Sequence, residues 1–441
     1  MALLCLALTV IGLAFHLPHL ADPLHAGEIN AGAYFGSFLR NWEAFGFFDL
    51  SGMMLTPQLA HGPDLSTPYF NHPPGLAWTM WLLGGDEMAA RLPTALGVTA
   101  ASVIFFLLLR RSFGLWWAFG AAFCVLGSPS FTFWLQASLE PVVLPLGLLL
   151  LLLTQMCNQA SGRRRQRLHL AQVAICLVGP WMDWAFLYFC VGLVPLAWDR
   201  SLWRMVGRLL PAALASSLSL GLFFLWKDWA LSNEILGASS PNEDVASIVE
   251  KFILTRPPLS EFLVRGAQTA AQANTELLLG GGLMLAGLFA YVSVRLFLAL
   301  LCVAGLHPAI FPHHALDHVH FWGYCTPLLA ASVAAGSQLT DRRFRVAIGA
   351  LLVLSTCVCW FTSFDYLRQS RTPVLAEIGQ YASKSVRDET GRDHLIATNF
   401  PVLYPFYVTS PFVLAPQVID PEVIENARQV RLKKNLKPET E

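Results

Sequence analysis

Carboxylates and imidazoles are scarce in this chain, so the places where they gather carry the chemical argument. Glu28 stands at the head of a helix-like run, Ile29–Phe45, inside a polar stretch from Leu20 to Pro93. The same stretch holds Asn71-His72-Pro73-Pro74 and Ala90-Arg91-Leu92-Pro93. Further on, Glu140 opens one apolar run and Lys227 closes another. A carboxylate in such a place can take a proton from a hydroxyl. Guanidinium, ammonium and imidazole groups can hold an anion. The densest cluster is His313-His314-Ala-Leu-Asp317-His318-Val-His320, four histidines and an aspartate in eight residues. His313, His314, Asp317 and His318 are of the types that bind zinc or another divalent ion, though their spacing is irregular. The same loop could instead bind an anion through His318 or His320, or be a solvated interfacial loop.

Each candidate also has a plainer reading. Glu28 and Glu140 begin helices, where an acid suits the helix dipole. His72 can simply orient the Pro-Pro turn. Arg91 opens a helix and suits an interface anchor whose stem lies on apolar surface. Asp183, in the turn Trp181–Trp184, suits a structural hydrogen bond. Lys227 follows an apolar helix, an ordinary place for a lysine.

The elements that position these residues are membrane spans. Of 441 residues, 55% are hydrophobic and only 13% charged. Soluble domains have about 45–50% and about 25%. Several runs approach the ~20 apolar residues that cross a bilayer. The class is therefore an all-α polytopic membrane protein of about eleven spans, within a range of nine to thirteen. The spans are expected near 2–19, 92–109, 115–126, 139–156, 168–180, 184–198, 209–226, 277–294, 296–312, 321–335 and 346–364. The first run lacks a basic segment before it, so a retained helix is expected rather than a signal peptide. The net formal charge is zero, so nothing points to nucleic acid. The nine cysteines fall almost all in apolar runs, which argues for small core residues rather than a disulfide framework.

Eleven spans place Arg110-Arg111, Arg163–Arg167, Arg200–Arg208, Arg295 and Arg342–Arg345 on one side, which the excess of basic residues marks as cytoplasmic. The other side then holds outer loop 20–91, outer loop 227–276, His313–His320 and the C-terminal tail. In Ile29–Phe45, the residues Ile29, Ala33, Phe38, Trp42 and Phe45 share roughly one helical face, the pattern of a helix lying in the interface. The expected division is a transmembrane domain over 1–368 and a small extracytoplasmic α/β segment over 369–441. In that segment Thr372–Arg387 reads as a helix, and His394–Thr398 and Phe412–Leu414 read as strands.

The order of these pieces resembles the C superfamily of polyprenyl-phosphate-sugar-dependent glycosyltransferases, in particular the bacterial branch related to protein O-mannosyltransferases and lipid A aminoarabinose transferases. The matching residues are Tyr69-Phe-Asn-His-Pro-Pro74 and Ala89-Ala-Arg-Leu-Pro-Thr-Ala95, followed by Arg110-Arg111. Weaker matches are Asp183-Trp184 and His318–Tyr324 with Pro327. The family carries an essential acidic residue, often Asp-Glu, before the amphipathic helix. Here only Gly27-Glu28 stands there, so Glu28 carries the role alone or the site is altered. Glu140 matches a second family carboxylate.

The resemblance implies an inverting transfer from a polyprenyl-phosphate sugar to a glycan, lipid or protein acceptor on the non-cytoplasmic side. Glu28 would act as base or positioner, with Glu140 as second carboxylate. Asn71, His72, Arg91, Lys227, His318 and His320 would bind substrate, with Arg256, Arg265 and His313 as further cationic candidates. No cofactor is implied, and a divalent metal stays a candidate. The compact loops and short tail suit a bacterial inner membrane. Two other readings stand beside this one: a transporter or flippase of lipid or glycan, and a non-catalytic relative of the glycosyltransferases. Ionisable residues at span ends, with no matching halves, favour interfacial catalysis over transport.

Overall fold

The computed structural model describes residues 1–20, 38–39, 42, 46–56, 67–68, 72–85, 87–133, 140–231, 256–317, 319–369, 396–398 and 412–414. The protein is a polytopic, helical membrane protein. Its helices are α1 (Ala2–His16), α2 (Gly75–Leu82), α3 (Glu87–Phe113), α4 (Leu115–Leu126), α5 (Pro129–Phe133), α6 (Glu140–Gln159), α7 (Gly162–Met182) and α8 (Phe186–Ala197). They continue as α9 (Leu202–Leu231), α10 (Leu259–Asn274), α11 (Glu276–Val292), α12 (Val294–Ile310), α13 (Pro312–Asp317), α14 (Cys325–Ala334) and α15 (Arg342–Gln369). A helix stands at each of the eleven expected spans. By length and composition, Ala2–His19, Arg91–Phe113, Val142–Gln159, Leu202–Leu231 and Arg342–Asp365 suffice to cross a bilayer. The pair α10–α11, bent by 111°, makes a sixth if it is one broken span, and α4, α8 and α12 are shorter apolar helices.

Several boundaries differ from the hydropathy reading, and for one reason. Apolar runs mark only the part of a helix that lies in lipid, whereas Arg, Gln and Lys propagate helix well beyond it. So α7 takes in the cluster Arg163–Arg167 instead of beginning at 168, and α9 spans 202–231 rather than 209–226. Of His313–His320, expected as a loop, residues 313–317 lie in α13 and residues 319–320 in a 3₁₀ turn, Val319–Tyr324. Pro312 opens α13, where its missing N–H has no cost.

The chain divides into two compact units. The first comprises Met1–Leu20, Arg91–Leu225 and Glu243–Gln369. Its centre is α14, where every residue from Thr326 to Ala334 is buried. α14 packs against α11 and α4, α12 against α8, and α6 against both α7 and α8. Small residues permit these approaches, as in membrane bundles generally. A Cβ on Gly282 of α11 would lie 2.9 Å from the Cα of Leu329, and one on Gly192 of α8 would lie 3.0 Å from the Ala299 carbonyl.

The second unit comprises Ala21–Ala90, Trp226–Asn242 and Ser370–Glu441. Its described part centres on a turn after Gly46. Three indole N–H groups bind three successive carbonyls there: Trp226 to Ser51 (3.1 Å), Trp78 to Gly52 (2.8 Å) and Trp42 to Met53 (2.7 Å). Phe47 stacks on Trp81 with ring centroids 4.0 Å apart. Phe38 and Trp42, two residues of the expected apolar face, are buried; most of the Ile29–Phe45 run lies outside the described residues. β1 (Leu55–Thr56) pairs antiparallel with β2 (Thr67–Pro68). In the tail, β3 (Ile396–Thr398) and β4 (Phe412–Leu414) pair in parallel at the two places read as strands; the expected helix Thr372–Arg387 lies outside the described residues.

Candidate functional site

The two ends of the first unit differ in chemistry. One end is basic. There Arg111 binds the side chain of Gln159, Asn158 donates to the Leu196 carbonyl (2.9 Å), and Gln338 donates to that of Ser112 (3.0 Å). Arg208 reaches the Ala197 carbonyl (3.3 Å) and the Asp199 carboxylate (2.9 Å). The Ser201 N–H, then Arg208 and Arg204, hold Asp199 below the usual carboxylate range.

The other end is lined by buried, mostly neutral polar groups. Their positions follow from helix polarity: the C-terminal turns of α1, α4, α12 and α15 meet the N-terminal turns of α3, α8, α11 and α14. Arg91, 2% exposed, donates to the Leu20 carbonyl (3.1 Å), one turn beyond α1. His16, in the last turn of α1, is fully buried, and among the described residues neither ring nitrogen has a hydrogen-bond partner. Ser363 of α15 donates to the Gly127 carbonyl just past α4 (2.9 Å). Ser128 lies 3.0 Å from the Ser130 hydroxyl and 3.4 Å from that of Thr326. Thr326 donates to the Asn274 carboxamide oxygen (2.5 Å). Tyr188 of α8 meets Nδ1 of His307 on α12 at 2.9 Å, and the His307 ring stacks on Phe321 with centroids 3.7 Å apart. Asp183 is the one acid among the buried described residues. Its carboxylate accepts the Ala185 N–H (2.7 Å), which is the structural reading of that residue.

Hydroxyls, a carboxamide, imidazoles and one guanidinium in a dry layer can orient a hydroxylated ligand and stabilise an anion, because hydrogen bonds to charge strengthen where water is excluded. Of the residues singled out from sequence, Arg91 belongs to this layer. His313, on α13, is half-buried, and among the described residues its Nε2 has no hydrogen-bond partner. His320 lies in the 3₁₀ turn and Glu140 opens α6, but the side chains of Glu140, His314, Asp317 and His320 are not among those described. Glu28, Asn71 and His318 lie wholly outside the described residues. Half-buried His72 and Lys227 belong to the second unit. Arg256 donates to the Ala309 carbonyl (2.6 Å), and Arg265 pairs with Glu261 (2.7 Å) along α10; both are exposed. Among the described residues no three metal-ligating side chains come together, and His313 is the only member of the expected metal set with a described side chain.

No protein-family model and no curated protein sequence matches the chain. Solved structures do. ArnT from Cupriavidus metallidurans in the apo state matches with TM-score 0.63 and 15% identity, over 98% of this chain and 88% of ArnT. ArnT bound to undecaprenyl phosphate matches with TM-score 0.65 and 15% identity, over 97% of this chain and 88% of that one. The oligosaccharyltransferase AglB of Archaeoglobus fulgidus, in complex with an inhibitory peptide and a dolichol-phosphate, matches with TM-score 0.55 and 11% identity, over 94% of this chain and 64% of AglB. The chain has the fold of ArnT. The resemblance read from short motifs thus holds at the level of the whole backbone.

On this ArnT-like fold, the residues that sequence reasoning missed are neutral ones. His16, Ser128, Tyr188, Asn274, His307 and Thr326 form much of the polar end. One signal was available. His16, Asn274 and His307 are polar interruptions at the rims of apolar runs, where burying an imidazole or a carboxamide is costly unless it has work to do.

Proposed function

We propose that the protein transfers a sugar from a polyprenyl-phosphate-linked donor to an acceptor on the non-cytoplasmic side of the membrane. The observation that carries this reading is the likeness, over nearly the whole chain, to ArnT bound to undecaprenyl phosphate. The distribution of charge supports the orientation. Basic residues gather at one end of the first unit, and positive loops favour the cytoplasm. The buried polar end then faces the periplasm or exterior, in keeping with a bacterial inner-membrane protein whose tail from residue 369 is extracytoplasmic.

The chemistry is an inverting displacement. The acceptor oxygen bonds to the anomeric carbon as the bond from that carbon to the donor phosphate oxygen breaks, and the electron pair leaves with the lipid phosphate. The acceptor proton passes to a carboxylate, Glu28, with Glu140 as the second acid of the site. The departing phosphate needs cations and hydrogen-bond donors rather than a strong acid. Arg91, Lys227, His72, His318 and His320 have the right character, and Asn71 would orient the sugar. An acceptor that is itself a phosphate needs no base, and Glu28 then positions it.

Turnover of an undecaprenyl-phosphate-linked sugar by the purified protein tests this reading. Glu28→Gln and Glu140→Gln are each expected to lower turnover at least 100-fold, the lower range of general-base effects. Unchanged turnover in both removes the carboxylate assignment. No turnover with any lipid-linked sugar favours the non-catalytic relative, and movement of intact lipid across the bilayer favours the flippase.

A further inference from the structure

The junction of α10 and α11 is more elaborately built than a turn requires. The chain bends there by 111°. Thr275, the residue at the bend, has φ 66° and ψ 148°, a region occupied almost solely by glycine. A β-branched side chain with such a φ is a genuine outlier. Neither glycine nor proline stands at the junction, so local propensity does not make the bend.

Asn274 holds it. Its fully buried carboxamide donates to the carbonyls of Ala270 (3.1 Å) and Trp322 (2.9 Å), and its oxygen accepts the Thr326 hydroxyl (2.5 Å). The opposite amide orientation would set the oxygen against two carbonyl oxygens, so the network fixes it. One side chain thereby joins α10, the 3₁₀ turn Val319–Tyr324 and the first turn of α14. The turn is also clamped from two sides. Phe321 stacks on His307, and a Cβ on Gly323 would lie 3.1 Å from the Ser130 hydroxyl. Strain at a bend persists only where surrounding contacts over-determine it, and it collects where geometry serves a function. A fully satisfied buried network specifies one arrangement.

We propose that Asn274 is a positioning residue of the donor site: it fixes the Val319–Tyr324 turn, which bears His320, where the donor phosphate is received. The proposal rests on the reading of this end as the site of a polyprenyl-phosphate donor. Asn274 acts on the phosphate only through the turn it holds.

Binding of undecaprenyl phosphate by the full-length protein in nanodiscs tests it, together with amide hydrogen exchange over residues 319–324. Asn274→Leu is expected to raise Kd at least tenfold and to speed exchange in the turn. Thr326→Val, which removes the hydroxyl that orients the carboxamide, is expected to act in the same direction. Thr326→Ser, which keeps that hydroxyl, is expected to bind within twofold of the unaltered protein. This rescue separates positioning from general destabilisation. Should Asn274→Leu not fold, the Val and Ser variants at 326 carry the comparison by themselves. Faster exchange with unchanged Kd overturns the proposal, because the turn is then free of the phosphate. Unchanged exchange also overturns it. No binding even by the unaltered protein refutes the donor reading itself, and the proposal with it.

Discussion

Replacing Thr275 by glycine and, separately, by alanine isolates the strain at the bend between α10 and α11. Both changes remove the hydroxyl, which accepts the Leu278 N–H at 3.4 Å, and both remove a buried γ-methyl. Those losses cancel when the two variants are compared. What differs is the Cβ. At φ 66° and ψ 148°, keeping it costs roughly 1–3 kcal/mol. Glycine's greater freedom in the unfolded chain takes back about 0.4–1 kcal/mol. The helix N-cap position itself favours glycine over alanine by some tenths. The expected balance puts Thr275→Gly about 1–2 kcal/mol above Thr275→Ala, a factor of roughly 5–30 in the ratio of folded to unfolded protein. Within a helix the order is the reverse, alanine above glycine by about 1 kcal/mol. Denaturant titration in one detergent, followed by tryptophan fluorescence, reads the difference directly. Equal stabilities, or alanine above glycine, would refute both the strained backbone and its assignment to the Cβ.

Other outcomes follow from the same contacts. His16→Leu removes two unpartnered ring nitrogens from the core; at about 1–3 kcal/mol for a buried unsatisfied group, it is expected to raise the unfolding midpoint, and a lower midpoint contradicts this. Trp78→Phe and Trp226→Phe each remove one indole hydrogen bond from the 51–53 turn, so each is expected to lose about 1 kcal/mol and to speed hydrogen exchange in residues 46–54 selectively. Asp199 titrates below the usual carboxylate value when folded. Its contribution is therefore present above the unfolded value of about 3.9 and is lost as pH falls through the lower folded value. Asp199→Asn is expected to flatten the acid limb of a stability-against-pH curve below about pH 4 and to leave the neutral region parallel; an unaltered acid limb contradicts the assignment.

Sequence and structure agree most where apolar length decides the outcome. A helix stands at each of the eleven expected places because long apolar runs announce one, although by length and composition five helices, or six with the bent pair, suffice to cross a bilayer. Arg163–Arg167 marked an end correctly, yet hid the fact that α7 already begins there, since hydropathy is blind to helix outside lipid. Arg91 was legible as a site candidate because a guanidinium at the head of an apolar helix is conspicuous. The rest of the polar end was not. Ser128 and Thr326 are 198 residues apart, and Tyr188 and His307 are 119 apart. Serines, threonines and tyrosines at the ends of spans are ordinary, and only packing shows that these meet. The bend at Thr275 was hidden for a related reason. Its neighbour Asn274 is tied to Trp322 and Thr326, some fifty residues on, and no glycine or proline announces the bend.

The most direct test of the account places the lipid phosphate. Undecaprenyl phosphate carrying a photoreactive group near its phosphate, irradiated with the full-length protein in nanodiscs, should label the buried polar end, within residues 91–94 or 312–326. Labelling confined to the basic end, at residues 108–112, 159–167 or 199–208, would contradict the account.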